Sequence, residues 1–258
     1  MNKPLISIIT VSYNAASSIE QTILSVINQT YSNIEYIIID GGSTDGTIDI
    51  IKKYDKKIDF WISEKDKGVY DAMNKGIINA HGKYINFMNT GDTFFNELVI
   101  SNFVSKANNS ATIIYGDTMI YLSKGKFHQK PKDIKLINSQ MIFGHQATFI
   151  LTTYHQDNLY DISYKSSADY NFIYQAYNKG VEFQYIPFIV ANYNGAEGIS
   201  KNIFLSKIED RKIQKKNVTK VWILSLYIKY FIQKCKDAIL YLLPENIVNT
   251  IRKIRSQS

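Results

Sequence analysis

Through residue 89 the chain switches repeatedly between two patterns: short continuous runs of apolar and β-branched residues, and longer stretches with apolar positions three or four apart. LISIITV (5–11), IEYIIID (34–40), FWIS (60–63) and KYINFMN (83–89) read as strands. SIEQTILSVINQ (18–29), TIDIIKKY (47–54) and YDAMNKGIINA (70–80) read as helices. Strands apolar on both faces must be covered on both faces, and a helix between consecutive strands is the usual crossover of a parallel pair. The alternation predicts an α/β fold: a mostly parallel sheet with helices on both faces. Ser17-x-x-Glu20 further predicts a capping box for the first helix.

A chain of 258 residues with 45% hydrophobic content buries one large core, or one core and a small appendage. Charge separates the two. Residues 1–200 carry 17 basic against 19 acidic side chains, and residues 201–258 carry 13 against 4, so the whole excess of +7 lies in the tail. The tail stretch 221–243, VWILSLYIKYFIQKCKDAILYLL, places Ser225, Lys229, Gln233 and Lys236 on one helical face among apolar neighbours. Three lysines and an aspartate argue against a spanning helix. Lys212, Lys215, Lys216, Lys220, Arg252, Lys253 and Arg255 flank it and suit anionic headgroups. The expectation is a basic amphipathic tail, residues 205–258, on an anionic membrane surface. Packing on the protein's own core or on a partner subunit is the alternative. Nucleic acid is not expected as a partner, and oligomeric state is not legible. One cysteine, Cys235, and the lack of a charged-then-apolar leader suggest a reduced, cytoplasmic setting at the inner face of the cell membrane.

Ligands of parallel sheets gather at the carboxyl ends of the strands. Those ends are Ser12-Tyr13-Asn14, Asp40-Gly41-Gly42-Ser43, Glu64 to Gly68, and Asn89 to Asp92. GGSTDG (41–46) misses the G-x-G-x-x-G spacing and follows the second strand, which excludes a dinucleotide fingerprint. A nucleotide pocket nonetheless fits: Tyr13 offers a ring face to a base, Asp40 accepts from a base or ribose, and Asp66, Lys67, Asp71 and Asn74 lie near a helix amino end, where phosphate is favoured.

Taken in order, SIITVSYNA, IIIDGGSTDGT, SEKDKGVYDAMNKG and INFMNTGD resemble the amino-terminal half of family 2 glycosyltransferases over residues 5–95. GHQATFI (144–150) and SSADYNFIYQ (166–175) look like the acceptor-side and catalytic segments of bacterial members that build O-antigen, capsule or exopolysaccharide, and Gly198-Ile199-Ser200 is a last short match. The resemblance implies a GT-A fold over residues 1–204, with a nucleotide-sugar-binding half (1–95) and an acceptor half (96–204). It implies inverting transfer of one sugar from a nucleoside-diphosphate donor, UDP-hexose or UDP-N-acetylhexosamine, to an undecaprenyl-linked saccharide. Ser12, Tyr13, Asn14, Asp40, Lys67, Gly68, Asp71, Asn74, Asn89 and Gly91 would form the donor site, Asp92 would bind a divalent cation, Mn or Mg, and Asp169 would be the base. Family members commonly carry several Asp residues where this chain has Asn89, Thr90, Gly91 and Asp92. One carboxylate completed by a diphosphate remains chemically sufficient.

His145 and Gln146 are expected to face the acceptor or the diphosphate, as is Asp117, read as a strand-ending acid in IIYGD. The bland readings are a structural histidine, a helix cap at Asp92 before residues 93–104, and a first-turn acid at Asp169. None of His81, His128, His145 and His155 pairs at H-x-x-x-H spacing, so zinc is not expected. A processive polymer synthase is disfavoured by the lack of a spanning segment, and a nucleotidyltransferase by the lack of an early Gly-rich triphosphate loop. A non-catalytic nucleotide-sugar-binding scaffold with a degraded metal site is the alternative.

Overall fold

The computed structural model describes residues 3–108, 110–122, 125–195 and 203–242. The alternation becomes β1 (Ile6–Ser12), α1 (Ile19–Ile27), β2 (Ile34–Asp40), α2 (Thr47–Lys53), β3 (Phe60–Ser63), α3 (Val69–Ile78) and β4 (Tyr84–Phe87). Then follow β5 (Thr93–Phe94), α4 (Val99–Lys106), β6 (Ile113–Leu122), β7 (Gly125–Gln129), β8 (Thr148–Leu151), α5 (Thr152–Asp157), α6 (Ala168–Asn178), β9 (Phe183–Asn194) and α7 (Ile203–Ile213). They form one sheet in the order β3-β2-β1-β4-β8-β6-β9-β5, with β7 paired to β6. β3-β2-β1-β4 is a continuous parallel stretch. β8 joins it antiparallel to β4 and β6, and β6 and β9 form a further parallel pair.

All seven residues of β1 are buried because the strand runs between two helical layers. Ile6 and Ile8 pack with Ile19, Ile23 and Val26 of α1 and Phe103 of α4. Ile9 and Val11 pack on the opposite face with Ala72, Met73 and Ile77 of α3 and Phe172 of α6. Each fully covered aliphatic side chain contributes about 1.5–3 kcal/mol, which makes this two-faced burial the reason the strand sits at the centre.

Three local expectations are corrected. Ser18, not Ser17, caps α1, and no side chain closes the cap, because Glu20 is taken by Lys53 Nζ at 2.6 Å and the Tyr54 hydroxyl at 2.7 Å. Residues 93–94 form a strand and α4 starts only at Val99, so Asp92 has no helix to cap. β6 does not end at Asp117, because a hairpin with β7 carries its ladder on to Leu122.

The chain divides into two compact units, residues 1–214 and 215–258. In the second, α8 (Lys220–Leu242) exposes Val221, Leu224, Tyr227, Ile228, Phe231 and Ile232. At 100° per residue these six share one side of the helix. Among the described residues no helix is long and apolar enough to cross a membrane. Gly198-Ile199-Ser200, Arg252, Lys253 and Arg255 lie outside the described residues.

Candidate functional site

The carboxyl ends of β1, β2 and β4 border a cleft of about 800 Å³. After β1 the backbone enters the left-handed region at Asn14 (φ 46°), a conformation its short amide tolerates. The Asn14 N–H donates to Ser43 Oγ at 2.8 Å, and Asn14 Oδ1 accepts from the Thr44 N–H at 2.9 Å, locking the first turn to the second. Tyr13 is left 67% exposed against the cleft. Gly41 makes room beside it: a Cβ there would lie 2.7 Å from Asp66 Oδ2 and 3.3 Å from Tyr13 Cδ2. A bare backbone is what lets ring and carboxylate converge.

Asp40 does not reach the cleft. Fully buried, it accepts from Ser12 Oγ at 2.9 Å, Ser63 Oγ at 2.6 Å, Ser43 Oγ, and the N–H groups of Gly42 and Ser43 at 3.0 and 2.8 Å. Burial opposes its charge, but the donors of Ser43, Ser63 and Ser12 prevail and hold its carboxyl below the usual range. Its oxygens order the Gly41–Ser43 turn, which leaves them no vacancy for a base or ribose.

The loop before α3 divides similarly. Asp66 Oδ1 accepts from the Gly68 N–H and Asp71 Oδ2 from the Lys67 N–H, both at 2.9 Å. Asn74 clamps the backbone of Tyr160, donating to its carbonyl and accepting from its N–H, each at 2.9 Å. Lys67, Asp71 and Asn74 therefore build the loop and its support, while Lys65, Asp66, Gly68 and Tyr70 line the cleft.

FMNTGD turns sharply after β4. The Asp92 N–H donates to the Asn89 carbonyl at 2.9 Å, and Gly91 takes φ 95°. Thr22 Oγ1 accepts from the Gly91 N–H at 3.1 Å and donates to the Asp92 carbonyl at 2.8 Å. The Asp92 carboxyl faces the cleft with 6% of the residue exposed. Burial pushes it up to about 7, against the opposing pull of His145 and the Asn194 N–H.

Across the cleft stands Asp169, in the first turn of α6. His145 lies between the acids, its Nε2 3.1 Å from Asn89 Nδ2 and its Nδ1 3.6 Å from Asp169 Oδ2. Burial disfavours the imidazolium, but Asp169 and Asp92 raise its pKa above the usual value. Burial likewise opposes the Asp169 charge, yet His145, the Tyr70 hydroxyl and the Tyr170 N–H keep its carboxyl low. One acid thus holds a proton near neutrality while the other stays ionised. Glu209 of α7 holds the approach to α6, accepting from the consecutive N–H groups of Lys165, Ser166 and Ser167 at 2.8, 2.9 and 3.0 Å.

Ser12, Tyr13, Asn14, Gly68, Asn89, Gly91, Asp92, His145 and Asp169 are brought together on the cleft. Gln146 is buried behind it, with its carbonyl accepting from Asn86 Nδ2 at 3.0 Å. Asp117 lies elsewhere, its oxygens taken by His128 Nε2 at 2.6 Å and the Tyr185 hydroxyl at 2.7 Å. Sequence reasoning missed Tyr70, Lys165, Ser166, Tyr193 and Asn194. Tyr70 reads as one more apolar position of α3, and the end of β9 carries no local signal that it returns to this cleft.

Among the described residues no three His, Cys, Asp or Glu side chains are placed to hold a metal ion. Asp92, whose buried carboxyl lacks a partner for its ionised form strong enough to offset burial, and Asn89 Oδ1 in the same turn, buried with no donor, nonetheless suit a hard cation that draws its other ligands from phosphate and water. The arrangement can take up a proton at Asp169, and a cation held at Asp92 would stabilise negative charge growing beside it.

Known proteins resemble the chain in sequence and in fold. The putative teichuronic acid biosynthesis glycosyltransferase TuaG of Bacillus subtilis is 43% identical over 93 residues, 35% of this chain and 37% of TuaG. The chain spans 31% of the length of an uncharacterized glycosyltransferase of Rickettsia bellii. The fold is shared with S. aureus TarS 1-349 in complex with UDP-GlcNAc (TM-score 0.66, 15% identity, 85% of this chain and 69% of that one). It is also shared with the mannosyltransferase PcManGT from Pyrobaculum calidifontis in complex with GDP-Man and Mn2+ (TM-score 0.64, 13% identity, 83% and 63%). A family model described as glycosyl transferase family 2 matches residues 7–183, and the chain belongs to that family.

Proposed function

We propose that the cleft transfers a single sugar, with inversion, from a UDP-hexose or UDP-N-acetylhexosamine to a hydroxyl of an undecaprenyl-linked saccharide in surface polysaccharide synthesis. The observation that carries this reading is the pairing of Asp92 and Asp169 on one cleft, with opposite ionisation tendencies and His145 between them. Tyr13 stacks on the base, and the Asp66–Gly68 loop covers the diphosphate. A bound Mn2+ or Mg2+ would neutralise charge on the departing diphosphate, held by Asp92 and, through its amide oxygen, Asn89. Asp169 takes the proton of the acceptor hydroxyl as that oxygen bonds to the anomeric carbon. The bond from that carbon to the diphosphate breaks, and its electron pair leaves with the diphosphate.

Purified full-length protein is tested on a panel of sugar nucleotides with Mn2+ and a lipid-linked acceptor. Asp92→Ala and Asp169→Asn should each lower turnover at least about a hundredfold, with donor affinity falling mainly in the first. A panel from which the wild type consumes no donor leaves the alternative, a nucleotide-sugar-binding scaffold, as the better reading.

The exposed apolar side of α8, set among the basic residues of the tail, supports attachment to the inner face of the cell membrane, where such an acceptor resides. The full chain should sediment with phosphatidylglycerol vesicles and less so in high salt. Equal sedimentation with neutral vesicles would contradict an anionic surface.

A further inference from the structure

Asp169 uses its two oxygens unequally. Oδ1 accepts from the Tyr70 hydroxyl at 3.0 Å and from the Tyr170 backbone N–H at 2.9 Å. Oδ2 stands 3.6 Å from His145 Nδ1, beyond hydrogen-bond length, and the side chain retains 20% exposure on the cleft. A carboxylate oxygen has two lone-pair sites, and on Oδ1 both are already engaged. A proton from a substrate therefore finds its place on Oδ2.

Tyr70 sits in the first turn of α3, directly after the loop that carries Asp66 and Gly68. It is 8% exposed, its ring tilted against Tyr160 with centroids 5.5 Å apart. Asn74 of the same helix clamps the backbone of Tyr160, and Phe87, His155 and Phe172 pack against the Tyr160 ring. The hydroxyl donates to an acid 99 residues later in the chain.

We infer that Tyr70 is a positioning residue of the transfer reaction: its hydroxyl locks Asp169 Oδ1 and leaves Oδ2 as the oxygen that receives the acceptor proton. The inference rests on Asp169 as base. It also means that the donor-side helix sets the orientation of the acceptor-side acid. Without the hydroxyl, the carboxylate can rotate and present either oxygen at a poor angle.

The test uses the full chain with Tyr70→Phe, Asp169→Asn and the double variant, measuring UDP release from UDP-GlcNAc and the carboxyl 13C titration of Asp169, assigned by its loss in Asp169→Asn. The charged groups and phenols facing Asp169 are His145, Tyr70, Tyr160 and Asp210, and Tyr70→Phe alters one of them. Expected are a kcat about tenfold lower, a donor KM within about twofold, and an Asp169 titration about one pH unit higher, because a donor to the ionised form is lost. The double variant should be no slower than Asp169→Asn. If Asp169→Asn keeps its turnover, the base assignment itself fails. If Asp169→Asn is inactive while Tyr70→Phe matches wild type in rate and titration, the inference is overturned and the base assignment stands. A rate loss with the Asp169 titration unmoved, or a further loss in the double variant, also overturns it. The titration needs no donor, so an unmoved Asp169 titration overturns the inference even if UDP-GlcNAc is not turned over.

Discussion

Replacing Asp92 by Asn should stabilise the metal-free protein while abolishing its chemistry. Burial pushes this carboxyl from 3.8 up to about 7. A gap of about three pH units corresponds to about 4 kcal/mol. Because the folded state holds the proton more tightly than the unfolded chain, this stabilisation is fully present below about pH 4 and is lost as pH rises through 7. Above pH 7 the wild type therefore folds around an ionised acid whose burial costs it up to about 4 kcal/mol, a cost the isosteric amide does not meet. At about 2–4 °C per kcal/mol for a domain of this size, the upper bound is roughly 8–16 °C in Tm. Local relaxation and entering water reduce it, so at least about 4 °C is expected at pH 8. Thermal unfolding in EDTA should show Asp92→Asn above wild type at pH 8 and level with it near pH 5. Mn2+ with UDP should raise the wild-type Tm at pH 8 and leave the variant unmoved. A wild type as stable as the variant at pH 8, or a difference that ignores pH, refutes the argument that this acid is held in readiness for a cation.

Glu209→Ala would strand three consecutive N–H groups at the head of α6 and should cost about 3 kcal/mol, read as a Tm lower by about 6–12 °C. Glu209→Gln, which keeps one acceptor oxygen, should lose less than half of that, and equal losses would mean the N–H groups are not what the acid serves. Gly41→Ala places a methyl group 2.7 Å from Asp66 Oδ2 and should raise the donor KM about tenfold with Tm nearly unchanged; an unchanged KM would show that the convergence of Asp66 and Tyr13 is unimportant for the donor.

The amino-terminal half of the fold was legible because it is written in periodicity. β1, β2 and β4 carry apolar residues on both faces, which forces burial on both faces wherever the partners come from, and the intervening helices supply those partners. The same logic marks strand ends as cleft rims, which brought Tyr13, Asn14 and Asp92 within reach of sequence reasoning. Periodicity says which face a side chain occupies and nothing about which distant group it meets. Asp40 and Asp92 both follow apolar strands, yet neighbouring turns fill the lone pairs of one and leave the other facing the cleft. Asn74 was spent on Tyr160, Asp117 on His128 and Tyr185, and Tyr70 was joined to Asp169 across 99 residues. Local pattern thus determined the layers and the rim of this protein. The partners of its polar groups were decided only when the finished sheet brought remote segments within 3 Å, because a hydrogen bond is a property of two positions and a sequence window holds one.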